Sequence, residues 1–433
     1  MAEVPALTVV NVRRLCLVKP AIPTPTQTMF LSNVDLLWLP VNNVQNLVFY
    51  KISPLVDYNS LIEGLKKSLS SVLVYFYPLA GRLKIGESSR MEVNCNDEGV
   101  EFTEASINIL FRDLERDGFQ RKLFFQNLVH EVDPSENKNS CRPLLSIQVT
   151  AFEEGGICIG TTLHHVIADG NSFWHFMTSW AECSRGIPIS KDPQHARAVL
   201  KRGKTNPSKK REESLENWAD LKNKTELVYS TFCFTEEMIQ NLKQRSGASS
   251  SFVAVAAQFW RCVIRAREVP LEEVVHFSLL ADCRARIKPP ILPTYFGNCI
   301  SLGVVQTTAN ALTNADISFA ADVIQQLINS CSDESQIDHL IAWAESSKMN
   351  VGNLLRETGW QYGTNTVTSP RFPLYEIDYG WGKPVDVQVA TMNEIGAMVL
   401  SCAKDGGKSI LVSTCLPQHQ MDLLHRLQIV SVE

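Results

Sequence analysis

Several features that would assign a protein to a class at once are missing from these 433 residues. No apolar run is long enough to span a bilayer, and the first residues lack the charged and then apolar pattern of a signal peptide. The formal net charge of −5 excludes the basic footprint of a general nucleic-acid binder. We therefore expect a protein that binds neither a membrane nor a nucleic acid.

Paired cysteines are also missing. The twelve cysteines are scattered, no Cys-x-x-Cys occurs, and many of them stand in apolar runs. This usage indicates buried thiols in a reducing cytoplasm, and not a disulfide framework or a zinc site. A Gly-x-Ser-x-Gly nucleophile elbow is absent as well, so nothing predicts a covalent serine intermediate.

The strongest chemical signal present is the stretch Thr-Thr-Leu-His-His-Val-Ile-Ala-Asp-Gly at 161–170. Before it, residues 145–152 and 157–163 have the composition and alternation of two strands. Glu-Glu-Gly-Gly at 153–156 lies between them and has the composition of a turn. Together these residues predict a hairpin whose second strand leads directly into the two histidines.

A helix is predicted immediately after the histidines. Residues 171–182 carry bulky apolar side chains at helical spacing, and Asn171 is the predicted N-cap. His164, His165 and Asp169 therefore lie where a core strand ends and a helix begins. A strand end is a rigid place to mount a side chain that takes part in chemistry.

The pattern His-x-x-x-Asp formed by His165 and Asp169 has three interpretations. In the first, His165 is a general base and Asp169 ties the loop to a distant cation, since histidine accepts a proton near neutral pH. In the second, these residues and His164 bind a metal ion. This second interpretation is the weakest, because i, i+4 ligands need a helix and the preceding residues read as a strand. In the third, all are ordinary polar residues at a strand end.

The chain is long enough for two packed domains. In the first half, a predicted strand at 46–52 and a helix capped by Asp57 alternate, which indicates an α/β layer. Residues 187–215 carry prolines and a basic cluster without an apolar period, as in a solvated crossover. The predicted organisation is therefore an N-terminal domain at 1–186, a linker at 187–215 and a C-terminal domain at 216–433.

The second half contains a serine-rich helix start. Ser249, Ser250 and Ser251 precede a long apolar helix at about 252–265. Backbone N–H groups and hydroxyls at such a start can bind an anion with the aid of the helix dipole. The alternative is that the serines only cap the helix.

Two arginines follow the next predicted strand, at 274–281. They belong to the run Asp-Cys-Arg-Ala-Arg at 282–286. If the strand continues, Arg284 and Arg286 point to one side of it. Two arginines on one side suit the recognition of a carboxylate or a phosphate.

Several motifs together resemble those of one family, the plant acyl-CoA-dependent acyltransferases of the BAHD family. His-Val-Ile-Ala-Asp-Gly at 165–170 is similar to the family's His-x-x-x-Asp-Gly motif. Asp-Tyr-Gly-Trp-Gly at 378–382 is similar to its Asp-Phe-Gly-Trp-Gly motif, with Tyr379 in place of Phe. The resemblance covers essentially the whole chain and extends to Leu-Ala-Gly-Arg-Leu at 79–83, Asp-x-Arg-x-Arg at 282–286 and Tyr-Phe-Gly-Asn at 295–298.

The resemblance implies a fold as well as an activity. The fold is α/β, with two similar domains of the chloramphenicol-acetyltransferase type, each a mixed sheet with flanking helices. A long crossover would join them, and a channel would run between them. Acyl-CoA would enter this channel from one side and the acceptor from the other, with His165 midway.

The resemblance also implies a mechanism without a metal or a permanently bound cofactor. His165 would take a proton from an acceptor hydroxyl or amine that attacks the thioester of acyl-CoA, which acts as a co-substrate. Asp169 would point away from the substrate and pair with Arg284 or Arg286. The structural support implied for the second motif comes from Asp378, Gly380, Trp381 and Gly382.

Substrate contacts are predicted for two groups of residues. The CoA-binding candidates are Lys243, Ser249, Ser250 and Ser251. The acceptor-binding candidates are Trp38, Asn46 and Arg371, the last because shikimate-acylating relatives grip a carboxylate with an arginine at a similar place. The expected partners are an acyl-CoA donor and a small-molecule acceptor, and the expected state is a cytoplasmic monomer.

The leading hypothesis is therefore an O- or N-acyltransferase acting on a plant specialised metabolite, a hormone or a lipid precursor. A lyase or another enzyme that has left CoA chemistry but still uses His165 is the alternative on the same scaffold. A third hypothesis is a binding or regulatory protein without catalysis, which the intact His165 and Asp169 disfavour.

Overall fold

The computed structural model describes residues 10–39, 43–53, 55–87, 90–130, 143–200, 226–331, 362–392, 394–427 and 429. The basic part of the predicted crossover, from Lys201 to Arg211, lies outside these residues. The chain divides into two compact units. The first comprises Met1–Lys201, Thr294–Asn298 and Pro373–Thr391, and the second comprises Arg202–Pro293, Cys299–Phe372 and Met392–Glu433.

The first unit is built on a six-stranded mixed sheet and a small three-stranded sheet. Their strands are β1 (Val10–Val18), β2 (Gln27–Phe30), β3 (Val44–Lys51), β4 (Arg82–Ile85), β5 (Met91–Cys95), β6 (Val100–Leu110), β7 (Leu145–Glu153), β8 (Gly156–Leu163) and β13 (Asp386–Val389). The order in the large sheet is β1-β6-β7-β8-β3-β13, and that in the small sheet is β2-β5-β4. Only β6 and β7 pair in parallel among these strands, which makes the large sheet mixed.

The predicted hairpin before the histidines is confirmed as β7 and β8. These strands pair antiparallel, with Ala151 opposite Ile157. The two turn residues, Glu154 and Gly155, have φ of 61° and 93°, the left-handed region that a tight two-residue hairpin needs. Every residue of β8 is buried, so this strand is a rigid internal support for the loop that follows it.

Helices flank the large sheet of the first unit. They are α1 (Asn33–Leu36), α2 (Tyr58–Val72), α3 (Phe111–Arg116) and α4 (Gly170–Ser184). Asp57 caps α2 as predicted, because its side chain accepts a hydrogen bond from the backbone N–H of Ser60 at 2.9 Å. The indole N–H of Trp180 on α4 donates to the Leu65 carbonyl of α2 at 3.3 Å, so α4 is held against its neighbouring helix.

Two segments from late in the chain belong to the first unit. Strand β13 pairs with β3, with Asp386 opposite Phe49, and the Tyr50 hydroxyl donates to the Ile377 carbonyl at 2.9 Å. The continuous boundaries expected from the sequence therefore differ from the observed division. Within the described part of the predicted linker, Arg197 is buried in the first unit and is not a solvated crossover residue.

The elements of the second unit are β9 (Leu227–Phe234), α5 (Glu236–Ser246), α6 (Ser251–Ala266), β10 (Val274–Asp282), β11 (Ile300–Thr308), α7 (Ala309–Asn314), α8 (Ile317–Ser330), β12 (Gly363–Asn365), β14 (Val399–Cys402), β15 (Ile410–Pro417) and α9 (Gln418–Arg426). Its strands form two three-stranded sheets, ordered β11-β10-β12 and β14-β15-β9. The backbone N–H of Met398 donates a hydrogen bond to the Asn365 carbonyl between these sheets. Side chains of α6, among them Trp260, form a hydrophobic core with residues of both sheets and of the other helices.

Candidate active site

The loop at 164–169 joins the end of β8 to the start of α4. Asp169 is the N-cap of α4, because its side chain accepts a hydrogen bond from the backbone N–H of Ser172 at 3.0 Å. The prediction that Asn171 caps this helix is wrong, since the helix already includes Gly170. A carboxylate is well suited to the cap position, where unpaired N–H groups and the helix dipole favour negative charge.

The imidazole of His165 lies flat against the indole of Trp38. Its ring centroid is 4.2 Å from that of Trp38, and the two planes meet at 13°. The imidazole Nδ1 is buried and has no hydrogen-bond partner in the described part of the chain, while the residue as a whole keeps partial exposure.

The surroundings of His165 keep its imidazole neutral. Burial disfavours the charged form and lowers the pKa of His165 below its usual value of 6.5. Asp169, the amide of Asn298 and the carboxylate of Asp35 act in the opposite direction and offset part of this effect. A neutral imidazole near pH 7 can accept a proton, which is what a general base requires.

The backbone around His165 is fixed by two side chains from distant parts of the sequence. The amide nitrogen of Asn298 donates to the carbonyls of His165 and Val166, at 2.9 and 3.2 Å. The guanidinium of Arg197 donates to the next carbonyl, that of Ile167, at 2.6 Å. Three consecutive carbonyls are thereby held by charged or amide donors, which leaves the loop little freedom.

Asp35 binds both of these side chains. Its carboxylate lies 2.6 Å from the Arg197 guanidinium, and both residues are almost completely buried. It also accepts two hydrogen bonds from Asn298, from the backbone N–H at 2.9 Å and from the side-chain amide at 3.0 Å. We name Asp35, Arg197 and Asn298 the loop clamp. Further hydrogen bonds strengthen a buried ion pair of this kind, and here Asp35 accepts from Asn298 while Arg197 donates to the Ile167 carbonyl.

The loop clamp continues into the first turn of α4 through the Tyr-Phe-Gly-Asn segment at 295–298. The Ser172 hydroxyl donates to the Gly297 carbonyl at 2.9 Å. A side chain at position 297 would bring a Cβ within 2.9 Å of the Arg197 guanidinium, so only glycine permits this close approach.

The sequence patterns did not indicate a functional role for Asp35 or Arg197, although they include the segment that contains Asn298. One local signal for Asp35 exists: Ser32-x-x-Asp35 is a capping box, and it forms at the start of α1. This signal predicts a helix start only. It does not indicate that the second oxygen of the carboxylate binds a guanidinium and an amide from elsewhere in the chain.

The comparison with known proteins identifies the family. A model of the transferase family matches residues 8–428. BAHD acyltransferase DCR of Arabidopsis thaliana is 33% identical over 447 residues, which cover 94% of this chain and 89% of the relative. The chain belongs to this family, that of the BAHD acyltransferases. The resemblance stated from the motifs is confirmed, and with it the prediction of an acyltransferase as the class of enzyme.

Other known proteins match this BAHD chain over nearly its whole length. Hydroxycinnamoyltransferase of Narcissus pseudonarcissus is 29% identical, covering 97% of this chain and 99% of the relative. The crystal structure of vinorine synthase superposes with a TM-score of 0.76 at 22% identity, covering 98% and 99% of the two chains. That of F. graminearum TRI101 complexed with ethyl coenzyme A gives 0.78 at 14% identity, covering 94% and 98%. At these identities the two structures confirm the predicted fold and nothing finer.

The predicted partner of Asp169 in this BAHD chain is an arginine of the second unit. Arg284 is buried, and its guanidinium and backbone N–H both donate to Asp282 at 3.0 Å. The strand ends at Asp282, so Arg284 and Arg286 lie in a turn and do not continue the extended chain as the sequence pattern suggested. Pairing of Asp169 with either arginine stays a prediction.

The Asp-Tyr-Gly-Trp-Gly motif lies in the first unit and forms a tight turn. One carboxylate oxygen of Asp378 accepts the backbone N–H groups of Gly380 and Gly382 at 2.7 and 2.9 Å. Both glycines have φ above 100°, a conformation that other residues rarely adopt. The rings of Tyr379 and Trp381 stack with centroids 5.6 Å apart. A role of this motif in structural support stays a prediction.

The predicted CoA-binding residues lie at and near the start of α6 in the second unit. Ser250 is the N-cap, accepting a hydrogen bond from the Val253 N–H at 3.2 Å, and Ser251 is the first helical residue. Ser249 is exposed, and Lys243 is partly exposed on the last turn of α5. Ser250 therefore caps the helix, and a role of these residues in CoA binding stays a prediction.

The three predicted acceptor-binding residues lie in different surroundings. Trp38 is buried against His165, and Asn46 is buried on β3. Arg371 is exposed in the second unit, just before the segment that returns to the first. Of these residues, Trp38 is seen in contact with the imidazole of His165.

The described residues contain neither a metal-binding cluster nor a membrane-spanning helix. No three histidine, cysteine or acidic side chains cluster there in a way that could hold a metal ion. None of the helices in this part of the chain has the length and apolarity needed to cross a membrane.

Proposed function

We propose that this BAHD acyltransferase moves an acyl group from an acyl-CoA thioester to the hydroxyl or amine of a small molecule, with Nε2 of His165 as the general base. The observation that supports this proposal best is the mounting of His165. Its Nδ1 is buried, its ring lies flat on Trp38, and its own carbonyl is bonded to Asn298. Such an imidazole has one usable nitrogen in one orientation.

The chemistry follows from the weakness of the nucleophile. A neutral hydroxyl attacks a thioester slowly unless its proton leaves as the new bond forms. Nε2 of His165 takes that proton, and the thioester carbon becomes tetrahedral with negative charge on its oxygen. When this intermediate collapses, the carbon–sulfur bond breaks and Nε2 returns the proton to the departing thiolate of CoA. The enzyme therefore needs no covalent intermediate of its own.

The donor that we propose is an aromatic acyl-CoA. The curated relatives named for their substrates carry hydroxycinnamoyl, benzoyl or feruloyl groups, while their acceptors range from anthranilate and shikimate to omega-hydroxypalmitate. The acyl part is thus the common property, and the acceptor is not. This chain is about 30% identical to relatives with very different acceptors. We therefore propose no particular acceptor for it.

The remaining assignments rest on the family resemblance. We propose that CoA binds near Lys243 and the serines at 249–251, and that Asp169 pairs with Arg284 or Arg286. We propose that the acceptor reaches His165 near Trp38 and Asn46, and that Arg371 can receive an acceptor carboxylate. We also propose a monomer in the cytoplasm, and the scattered cysteines, which suit a reducing compartment, support this location.

The test is acyl transfer by the purified protein and its His165→Ala variant. p-Coumaroyl-CoA, benzoyl-CoA and acetyl-CoA are each incubated with a panel of hydroxyl and amine acceptors, and release of free CoA and product mass are recorded. We expect turnover with an aromatic acyl-CoA and a loss of at least about a hundredfold in the variant. His419→Ala, which removes an exposed histidine on α9, is the matched control and should keep full activity.

Two results would contradict the proposal. Undiminished transfer by His165→Ala would remove the base. Failure of all three acyl-CoAs to bind in calorimetry, with turnover of a substrate that carries its own leaving group, would favour the lyase instead.

A further inference from the structure

Trp38 covers one face of the His165 imidazole. The centroid distance of 4.2 Å and the interplanar angle of 13° describe a parallel stack in direct contact. Trp38 is 6% exposed, and its indole Nε1 has no hydrogen-bond partner in the described residues. The indole is therefore held at this place by packing and not by a hydrogen bond of its own.

Catalytic histidines usually have their orientation set by a hydrogen bond to the second ring nitrogen. Here Nδ1 of His165 is buried and makes no such bond within the described chain. The loop clamp fixes the backbone of His165 through carbonyl groups of the loop. The Asn298 amide also acts on the imidazole and favours its charged form. The contact on the flat face of the ring is the stack on Trp38.

The indole and the loop clamp come from the same short element. Asp35 lies in α1, and the backbone N–H of Trp38 donates to the Asp35 carbonyl at 3.1 Å in the turn that ends this helix. One turn of chain thus presents the carboxylate that binds Asn298 and Arg197 and the ring that contacts His165. A shift of α1 would move the backbone support and the ring support together.

We propose that Trp38 is a positioning residue for His165: its indole face fixes the plane of the imidazole and stabilises the imidazolium that forms when the proton is taken. A ring cation above an indole face is attracted by the negative face of the π-system, and this attraction grows when water is excluded. The inference rests on the proposed role of His165 as the base. It adds a residue that favours the charged state of that base during the reaction.

Other groups around the imidazole also change the stability of its charged form. Asp35 on α1 and Asp169 at the start of α4 are the negative charges that favour the imidazolium, and the Asn298 amide acts in the same direction. Arg197 is positive, but it is paired with Asp35. Burial opposes the charged form. The indole face is a further favourable contact, and it needs no additional charge in the site.

The experiment compares Trp38→Leu and Trp38→Phe with the natural protein. Leucine keeps the position apolar and mostly filled, but it has no π face. Phenylalanine keeps an aromatic face of smaller size. The pKa of His165 is measured directly by NMR on deuterated protein labelled at histidine Cε1, with the signal assigned from its absence in His165→Asn.

We expect Trp38→Leu to lower the pKa of His165 by about 0.5 to 1.5 units, because the imidazolium loses its stacked partner. Trp38→Phe should recover part of the shift. Acyl transfer from p-coumaroyl-CoA should fall about threefold to thirtyfold in Trp38→Leu, mainly in kcat, and the acidic limb of the pH profile should move to lower pH. Trp260→Leu is the same exchange at a buried indole in the second unit, whose ring is tilted by 44° against that of Phe277. It should leave both the pKa of His165 and the acidic limb unchanged.

A pKa of His165 that stays the same or rises in Trp38→Leu would overturn the proposal, since loss of burial alone would raise it. If Trp38→Leu does not fold, the comparison is made between Trp38→Phe and Trp38→Met. A pKa of His165 that is not lower in Trp38→Met than in Trp38→Phe would also overturn the proposal. Because the NMR measurement needs no turnover, it separates this inference from the proposed function, which fails only if His165→Ala remains active.

Discussion

Asp35 and Asn298 are 263 positions apart in the chain, yet two N–H groups of Asn298 donate to one carboxylate oxygen of Asp35. The same oxygen lies 2.6 Å from the guanidinium of Arg197. Asn298 and Arg197 then bind the three carbonyls that follow the ring of His165 in the chain. One buried carboxylate therefore fixes the proposed catalytic loop without touching its histidine side chain.

Replacement of Asp35 by asparagine should strongly destabilise the protein. The exchange keeps the shape but leaves the Arg197 guanidinium buried without its counter-charge, which typically costs about 3–5 kcal/mol in the free energy of unfolding. Urea unfolding measures the loss. Asp113→Asn, which removes the exposed ion pair with Arg116, is the control and should cost less than about 1 kcal/mol. Equal losses in the two variants would contradict the role given to the loop clamp.

Two roles of Asp169 can be tested separately: its role as a helix cap and its proposed role as the partner of an arginine. Asp169→Ala should lose about 1 kcal/mol or more of stability, because the Ser172 N–H loses its acceptor. Asparagine caps a helix nearly as well as aspartate but carries no charge. We expect Asp169→Asn to lose both stability and acyl transfer, because the proposed pairing with Arg284 or Arg286 needs the charge.

Asp57 provides the matched control for Asp169. It caps α2 through the Ser60 N–H on an exposed turn. There the alanine variant should lose about 1 kcal/mol and the asparagine variant only a few tenths. If Asp169→Asn is as harmless as Asp57→Asn in unfolding and in activity, Asp169 is a cap only and the arginine pairing is wrong.

The rate of acyl transfer should depend on pH on the acidic side. Burial lowers the pKa of His165 below 6.5, so the neutral base is already present at pH 7 and is lost only as the pH falls through the lowered pKa. A plot of log kcat/KM against pH should therefore be flat near neutrality and should bend at a pH below 6.5. A bend above pH 6.5 would show that the imidazole is not buried as described.

A second histidine, His195, should make the stability of the folded protein depend on pH. His195 is held with Nε2 at 2.9 Å from the Tyr75 carbonyl, and its buried Nδ1 has no hydrogen-bond partner in the described residues. Burial, together with the positive charge of Arg197, lowers the pKa of His195 to about 4. The unfolded chain takes up this proton below pH about 6.5 and the folded protein only below about 4, so stability present above pH 6.5 is lost as the pH falls toward 4.

The measurement is urea unfolding at several pH values between 7.5 and 4. His195→Gln keeps an N–H donor for the Tyr75 carbonyl and removes the titrating group. The loss of stability on acidification should be smaller in this variant than in the natural protein. The same loss in both would mean that His195 does not contribute to the pH dependence.

The sequence predicted well those elements whose causes are local. The hairpin β7–β8 was predictable because its turn residues and its alternation are close together in the chain. The start of α2 was predictable from Asp57, which caps this helix. The location of His165 at a strand end follows from these local patterns.

The predicted N-cap of α4 was wrong because two nearby residues are both suitable caps. Asp169 and Asn171 are both good caps, and both precede the same apolar period. The backbone of Gly170 and Asn171 is already helical, so the cap falls on Asp169. Two residues of sequence do not decide this, because the start of the helix also depends on where the loop clamp holds the preceding carbonyls.

The sequence by itself determined the class of fold, the family and the identity of the proposed base, because period, turn chemistry and motif order are properties of neighbouring residues. Only the tertiary structure decided what surrounds that base. Asp35 and Asn298 are 263 positions apart, and Asn298 lies 133 positions after His165. Arg197 lies 30 positions after Ile167, and the stack of Trp38 on His165 spans more than a hundred positions. Such contacts form when strands and helices pack, and no local pattern in the sequence records which distant side chains will meet.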